Sequence, residues 1–323
     1  MKRILIFLFL LLLPSTAVAE LEAHFLDVGH GDCTIIICDG EAMIIDGGVA
    51  GRSQQVHSYI KRLGITTIKY AVASHPDADH IGGLPAAFHA ADVEILLTPV
   101  AEHDEKRFQT LIETAQEHST QVVVPKAGGI LSLGGAMIEI LSPVIMFADT
   151  NDLSLVLRID YGSTSLLFTG DASSAVERDL IARGARLDAD VLKVSHHGSS
   201  TGTTQAFVRA VSPEYAVISC AESSSAPSRE ALYALADTRT LITAQKGTIV
   251  IKSDGRKLTI ASGAPAADQE QTASYIGNSN SKVYHDTRCQ AVEDMEEKNR
   301  VAFPTADQAE AAGYRPCKNC CPQ

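Results

Sequence analysis

Three times along this 323-residue chain an apolar run ends abruptly in side chains that can ligate a metal ion. Tyr70-Ala71-Val72-Ala73 leads into Ser74-His75-Pro76-Asp77-Ala78-Asp79-His80-Ile81-Gly82-Gly83. Leu166-Leu167-Phe168-Thr169-Gly170 leads into Asp171, and Val191-Leu192-Lys193-Val194 into Ser195-His196-His197-Gly198. Short apolar runs of this kind read as strands, and a loop leaving a strand end can turn alternate side chains into one pocket. Two imidazoles and two carboxylates within six residues, His75 to His80, would leave carboxylates repelling one another unless a cation sits among them. A solvated acidic turn accounts for the first motif alone, but not for its repetition at two further strand ends.

The rest of the pattern is α/β. Hairpin-like runs come first (Ala23–Val28, Thr34–Ile37, Ala42–Asp46), and helical periods then alternate with strands: a helix over about Ser53–Leu63 before Tyr70–Ser74, another over about Glu105–Glu117 before Gln121–Val124. Further strands are expected at MIEIL, LSLVLRI, SLLFTG, DVLKV, YAVIS, TLIT and TIVIKS. Hairpins followed by crossover helices predict two sheets covered by helices, an αββα sandwich over residues 20–262. Residues 263–280 are small, polar and aperiodic and read as a linker. The remaining 281–323 are too short to hold a core without a staple.

Lys2 and Arg3 precede an apolar run from Ile4 to Leu13, which is followed by small residues ending Ala17-Val18-Ala19. The run is about half what spans a bilayer, so residues 1–19 read as a cleaved export signal. The expected product is periplasmic or secreted, with no stable membrane insertion after cleavage. The chain has 27 basic and 39 acidic residues, a formal charge of -12. Such a surface does not attract phosphate backbones non-specifically, so any nucleic-acid substrate must be held by metals and a local groove. Of seven cysteines, Cys33, Cys38 and Cys220 lie in strand-like stretches and read as small core residues, a disulfide through Cys33 or Cys38 being the alternative. Cys289, Cys317, Cys320 and Cys321 cluster at the end.

Taken in order, these motifs resemble the metallo-β-lactamase superfamily, and more narrowly the hydrolase domain of ComEC-type competence proteins. The narrower resemblance rests on HFLDVGHGDCTIII with Asp27, Gly29, Gly31 and Asp32, on AMIIDGG with Asp46, on SHPDADHIGGL, NDLSLVLRI, LLFTGDA and DVLKVSHHGSS, and covers about Glu22–Ala261. It implies two divalent metal ions, one held by His75 and Asp77 and the other by Asp79 and His80, with Asp171 bridging. It also implies that one of His196 and His197 is a ligand and the other a general acid or a substrate-orienting group, without saying which. Asp79 would accept a proton or orient the nucleophile. Lys193 would stabilise developing negative charge, unless it is a surface lysine on its strand. Asp27 and Asp46 would support turns or orient ligands.

Asp77 stands where the superfamily pattern has His, and Asn151 where a further His ligand is expected, so both are candidate oxygen ligands of the first site. An oxygen-rich first site is weaker for zinc and favours manganese or magnesium. A divalent ion lowers the pKa of bound water to near neutrality and clamps a phosphate or carbonyl oxygen.

The tail offers His285 and Cys289 as H-x3-C, then Cys317 and Cys320 as C-x2-C, spacings suited to one four-coordinate structural zinc. It resembles the small metal-binding domain of the DNA-repair protein Ada, with FPTADQAEAAGYRPCKNC as helix and knuckle. Cys321 is surplus and an alternative to Cys320, and a disulfide-bonded tail is the competing reading. The tail's six basic and seven acidic residues make no nucleic-acid-gripping patch.

Both resemblances lead to metal-dependent phosphodiester hydrolysis, with DNA favoured as the substrate. Other phosphoesters, such as choline-phosphate groups, lactones and β-lactams are the alternative enzyme substrates. A binding protein of the same fold with weak turnover is the non-enzymatic alternative.

Overall fold

The computed structural model describes residues 20–144, 149–262, 275–287, 289–293, 295–296, 299–303, 306–311, 313–318 and 320. The proposed export signal, most of the proposed linker and Cys321 lie outside the described residues. The chain divides into two compact units, 1–262 and 263–323.

The larger unit contains strands β1 (Leu21–Phe25), β2 (Thr34–Cys38), β3 (Glu41–Ile45), β4 (Thr67–Val72), β5 (Asp92–Leu97) and β6 (Gln121–Val123). They are followed by β7 (Ile130–Leu133), β8 (Ala136–Ser142), β9 (Val156–Tyr161), β10 (Thr164–Phe168), β11 (Val191–Lys193), β12 (Tyr215–Ile218), β13 (Arg239–Ile242), β14 (Ile249–Ser253) and β15 (Leu258–Ser262). One sheet runs in the order β15-β14-β1-β2-β3-β4-β5-β6, the other β13-β12-β11-β10-β9-β8-β7. Each combines antiparallel hairpins with a parallel stretch, β3 to β6 in the first and β10 to β13 in the second.

The strand period of two explains the layering. Along β2, Ile35 joins a core under helices Ser53–Arg62, Pro85–Ala90 and Lys106–Glu117, while its neighbour Ile36 points the other way into the core between the sheets. Along β9, Leu157 and Ile159 face that central core, while Val156 packs with Val176, Leu180, Phe207 and Val211 beneath the second sheet's helices. Two sheets sharing one core, each covered outside by helices, make the expected αββα sandwich. Cys33, Cys38 and Cys220 are buried and not disulfide-bonded, as expected of core residues.

The Gly47 turn after β3 is wedged against the backbone beyond His80. Gly47 N donates to His80 O at 2.7 Å, Gly83 N donates to Gly48 O at 2.7 Å, and a Cβ on Gly47 would lie 2.2 Å from Leu84 N. Backbone cannot yield as a flexible side chain can. Gly47→Ala is therefore expected to lower stability by about 1–3 kcal/mol, the usual range for overpacking, measured by urea unfolding of the full chain.

In the smaller unit, β16 (Tyr275–Asn278), β17 (Val283–Asp286), β18 (Arg300–Phe303) and β19 (Arg315–Pro316) form a sheet in the order β18-β16-β17-β19. Tyr284, Phe303, Ala309 and Tyr314 make its core. The linker reading to residue 280 is corrected here, since β16 is a sheet strand paired on both sides. Its Tyr-Ile-Gly-Asn sequence has only two strong strand formers, and its partners lie downstream, so pairing rather than propensity makes it a strand. No helix among the described residues is long and apolar enough to cross a membrane.

Candidate metal centre

The three motifs meet at the carboxyl ends of β4, β10 and β11, where parallel strands leave their loops. His75, Asp171 and His196 each follow the last strand residue by three positions. Asp171 is buried and lies among four imidazoles: His80 Nε2 at 3.1 Å, His197 Nε2 at 3.6 Å, His196 Nε2 at 3.7 Å and His75 Nε2 at 3.9 Å. Asp77 Oδ2 is 3.8 Å from His75 Nε2, and Asp79 Oδ2 is 3.3 Å from His197 Nε2.

The tautomers follow from the hydrogen-bond partners. The Ser74 hydroxyl donates to Asp46 Oδ2 at 2.7 Å, so its oxygen accepts from His75 Nδ1 at 3.0 Å. His80 Nδ1 donates to Asp46 Oδ2 at 2.8 Å, and His197 Nδ1 to the Ser219 carbonyl at 3.0 Å. Each arrangement leaves Nε2 with its lone pair, as a metal-ligating histidine needs. With Nε2 unprotonated, His75 Nε2, His80 Nε2, His197 Nε2 and Asp171 Oδ1 are all buried with no hydrogen bond made to them by the protein. Four such atoms converging on one spot would be costly in a protein interior without a cation. The donor set, imidazole nitrogen with carboxylate oxygen, suits a divalent transition metal. Asp32, His80, Asp171 and His197 offer ligand atoms all within 4.8 Å of one another.

The adjacent histidines diverge because their backbone is left-handed, with φ of 47° at His196 and 54° at His197. His197 turns into the pocket and is buried. His196 stays at the rim, its side chain 29% exposed, with Nδ1 2.7 Å from Thr201 Oγ1. The geometry thus separates two residues that the sequence leaves equivalent.

Burial opposes charge throughout the cluster, and the neighbouring charges outweigh it. For Asp171, burial raises the pKa, but His80, His197 and His75 hold it well below the usual carboxylate range. Asp79 is depressed to about 2, the adjacent His197 and the His80 charge overcoming desolvation. Conversely, His197 is raised to about 9 by Asp171, Asp32 and Asp79 against desolvation, and His80 is also raised, by Asp171 and Asp46. His75 is lowered by burial and by His80. Without metal, protons on His80 and His197 balance the carboxylates, and an incoming cation must displace them. Zinc binding at pH 7 is therefore expected to release protons, and affinity to rise with pH through about 9, where His197 is half deprotonated. Calorimetry in buffers of different ionisation heats checks this, since buffer-independent heats would mean no displacement.

Lys193 is neither at the surface nor free to meet substrate charge. It is 2% exposed, its ammonium 2.7 Å from Asp32 Oδ2 and donating to the Val194 carbonyl at 2.9 Å. That ion pair, with His197 Nδ1 3.3 Å from Asp32 Oδ1, makes Lys193 and Asp32 a buried support for His197. Lys193 and His197 hold the Asp32 carboxyl far below its usual range despite complete burial. Asp46 orients His80, and Asp27 Oδ1 accepts from Gly29 N at 3.1 Å to close its turn. Asn151 has a buried Oδ1 without a partner, and its carbonyl accepts from Ser154 Oγ at 2.6 Å. Ser154 Oγ in turn accepts from Asp171 N at 3.0 Å. Asn151 thereby belongs to the turn that presents Asp171. Sequence reasoning gave no role to Asp32 or His30. Their only signal is the Gly-His-Gly-Asp turn itself, whose partners lie far along the chain.

In the smaller unit His285, Cys289, Cys317 and Cys320 bring four ligand atoms within 4.8 Å of one another. His285 Nδ1 is 3.5 Å from Cys289 Sγ and 3.9 Å from Cys320 Sγ. Burial lowers the His285 pKa, favouring the neutral ring that coordinates. The donors fit a closed structural zinc site.

A helix-covered double sheet with carboxylates and imidazoles at its strand ends defines a metallohydrolase-type sandwich. Residues 26–222 match the model of the metallo-β-lactamase superfamily, and the chain belongs to that family. Residues 264–323 match the metal binding domain of Ada. Among curated relatives, the ComE operon protein 3 of Bacillus subtilis is 27% identical over 77% of this chain and 35% of its own length. Recombination protein 2 of Haemophilus influenzae is 31% identical over 61% of this chain and 24% of its own. Competence protein ComA of Neisseria gonorrhoeae is 30% identical over 63% of this chain and 28% of its own. The chain thus spans about a third or less of the length of these relatives.

Proposed function

We propose that this protein is an exported phosphodiesterase acting on DNA. One observation carries the hydrolase reading, the single carboxylate Asp171 set among four imidazoles at the mouth of a sandwich. Cations held there, by His75, Asp77 and Asp171 on one side and by Asp79, His80, Asp171 and His197 on the other, would activate water and neutralise a phosphodiester's charge. Zinc suits the nitrogen-rich side, and manganese or magnesium the side of Asp77. DNA is favoured because relatives carry recombination and competence in their names. Export rests on the Lys2-Arg3 start, the apolar run and the Ala17-Val18-Ala19 cut site.

The protein's own groups divide the remaining work. Asp79, depressed to about 2, stays ionised and serves as an acceptor and anchor rather than as a proton store. His196, half at the surface and steadied by Thr201, is the group placed to hand a proton to the leaving oxygen. His196→Ala is expected to lower kcat about a hundredfold or more, the usual range for a general acid. An activated leaving group such as p-nitrophenolate, which needs less protonation, should show a smaller loss than DNA.

The full chain loaded with zinc or manganese should cleave single- or double-stranded DNA and bis-p-nitrophenyl phosphate. Turnover of lactones or β-lactams with phosphodiesters left intact would overturn the substrate assignment.

A further inference from the structure

We propose that His30 is a ligand of the metal bound by Asp79 and His197, adding an imidazole to that side of the centre. Its Nε2 lies 3.3 Å from Asp79 Oδ2, the same oxygen that lies 3.3 Å from His197 Nε2. Neighbouring ligands of a zinc ion with bonds of about 2.05 Å lie about 2.9–3.3 Å apart in four- or five-coordinate sites. The His30 and His197 rings are 4.6 Å apart between centroids, and ligand atoms of His30, Asp79 and His197 all fall within 4.8 Å of one another.

The backbone fixes this placement. Gly31, at φ +124°, leaves no room for a Cβ, which would sit 2.2 Å from Asp79 O. Asp32 N donates to the same Asp79 carbonyl at 3.3 Å, and Gly48 N donates to Asp32 O at 2.7 Å. The turn bearing His30 and the helix Ala78–Ile81 bearing Asp79 are therefore joined main chain to main chain. Asp77 and Asn151 make the His75 side poor in nitrogen, and His30 makes the opposite side rich in it. That contrast predicts zinc preference on the His30 side.

The inference rests on the metal-centre reading and not on the choice of substrate. Cobalt(II) titration of the full chain tests it, because thiolate ligands in the smaller unit give near-ultraviolet charge-transfer absorption, whereas the sandwich donors give only visible bands. His30→Gln should raise the sandwich-site dissociation constant at least tenfold and alter its visible bands, with the thiolate band unchanged. His30→Cys should add a second thiolate band that saturates together with the sandwich site. Parent-like affinity and spectrum in His30→Gln, with no new band in His30→Cys, would overturn the His30 assignment alone. A parent chain binding cobalt only through thiolates would overturn the metal centre as well.

Discussion

Asp171→Ala should cost on the order of a thousandfold in turnover, about 4 kcal/mol of transition-state stabilisation, and leave the sandwich unable to retain metal through dialysis. Among the described residues this is the carboxylate within 4 Å of all four imidazoles, so no described neighbour can replace it. Its loss also removes the main negative charge holding protons on His80 and His197, so both should titrate at lower pH in the variant. Metal content, turnover and histidine titration by NMR read the three effects separately. Parent-like turnover with undiminished metal would show that Asp171 is not the shared ligand.

Cys317→Ser should remove about one equivalent of zinc from the full chain and unfold the smaller unit. Cys317 is buried, its N–H donates to the Tyr284 carbonyl at 2.9 Å, and its sulfur is one of four clustered donors. Among the described residues the hydrophobic cluster of that unit comprises Tyr284, Phe303, Ala309 and Tyr314, a small core for so short a chain to fold on without the ion. Structural zinc contributes roughly 10–16 kcal/mol in small domains of this kind. The sandwich draws its three cores from its own strands and helices, so its melting transition should remain. Full zinc retention in Cys317→Ser would contradict a metal-stapled tail.

The site was legible in the sequence to the extent that its parts sit at strand ends. His75, Asp77, Asp79, His80, Asp171 and the His pair each follow an apolar run, and the structure gathers all of them. Choosing His197 over His196 required the left-handed turn and the Ser219 carbonyl, which lies 22 residues away. Lys193 misled because a lysine before a ligand pair reads as a charge stabiliser. Its partner Asp32 is reached only when the two sheets close on each other. Strand β5 went unread because exposed Asp92 and Glu94 shorten its apolar run to Ile95–Leu97, although it pairs between β4 and β6. Helix Ser174–Ala182 buries only Val176, Glu177 and Leu180, too short a stripe for its period to stand out in the sequence.

Diffraction from crystals of the zinc-loaded full chain, with data collected at the zinc absorption edge, tests the central claim most directly. Anomalous peaks are predicted among Asp79, His80, Asp171 and His197, and among His285, Cys289, Cys317 and Cys320. A single peak at the cysteine cluster, with none beside Asp171, would contradict the account.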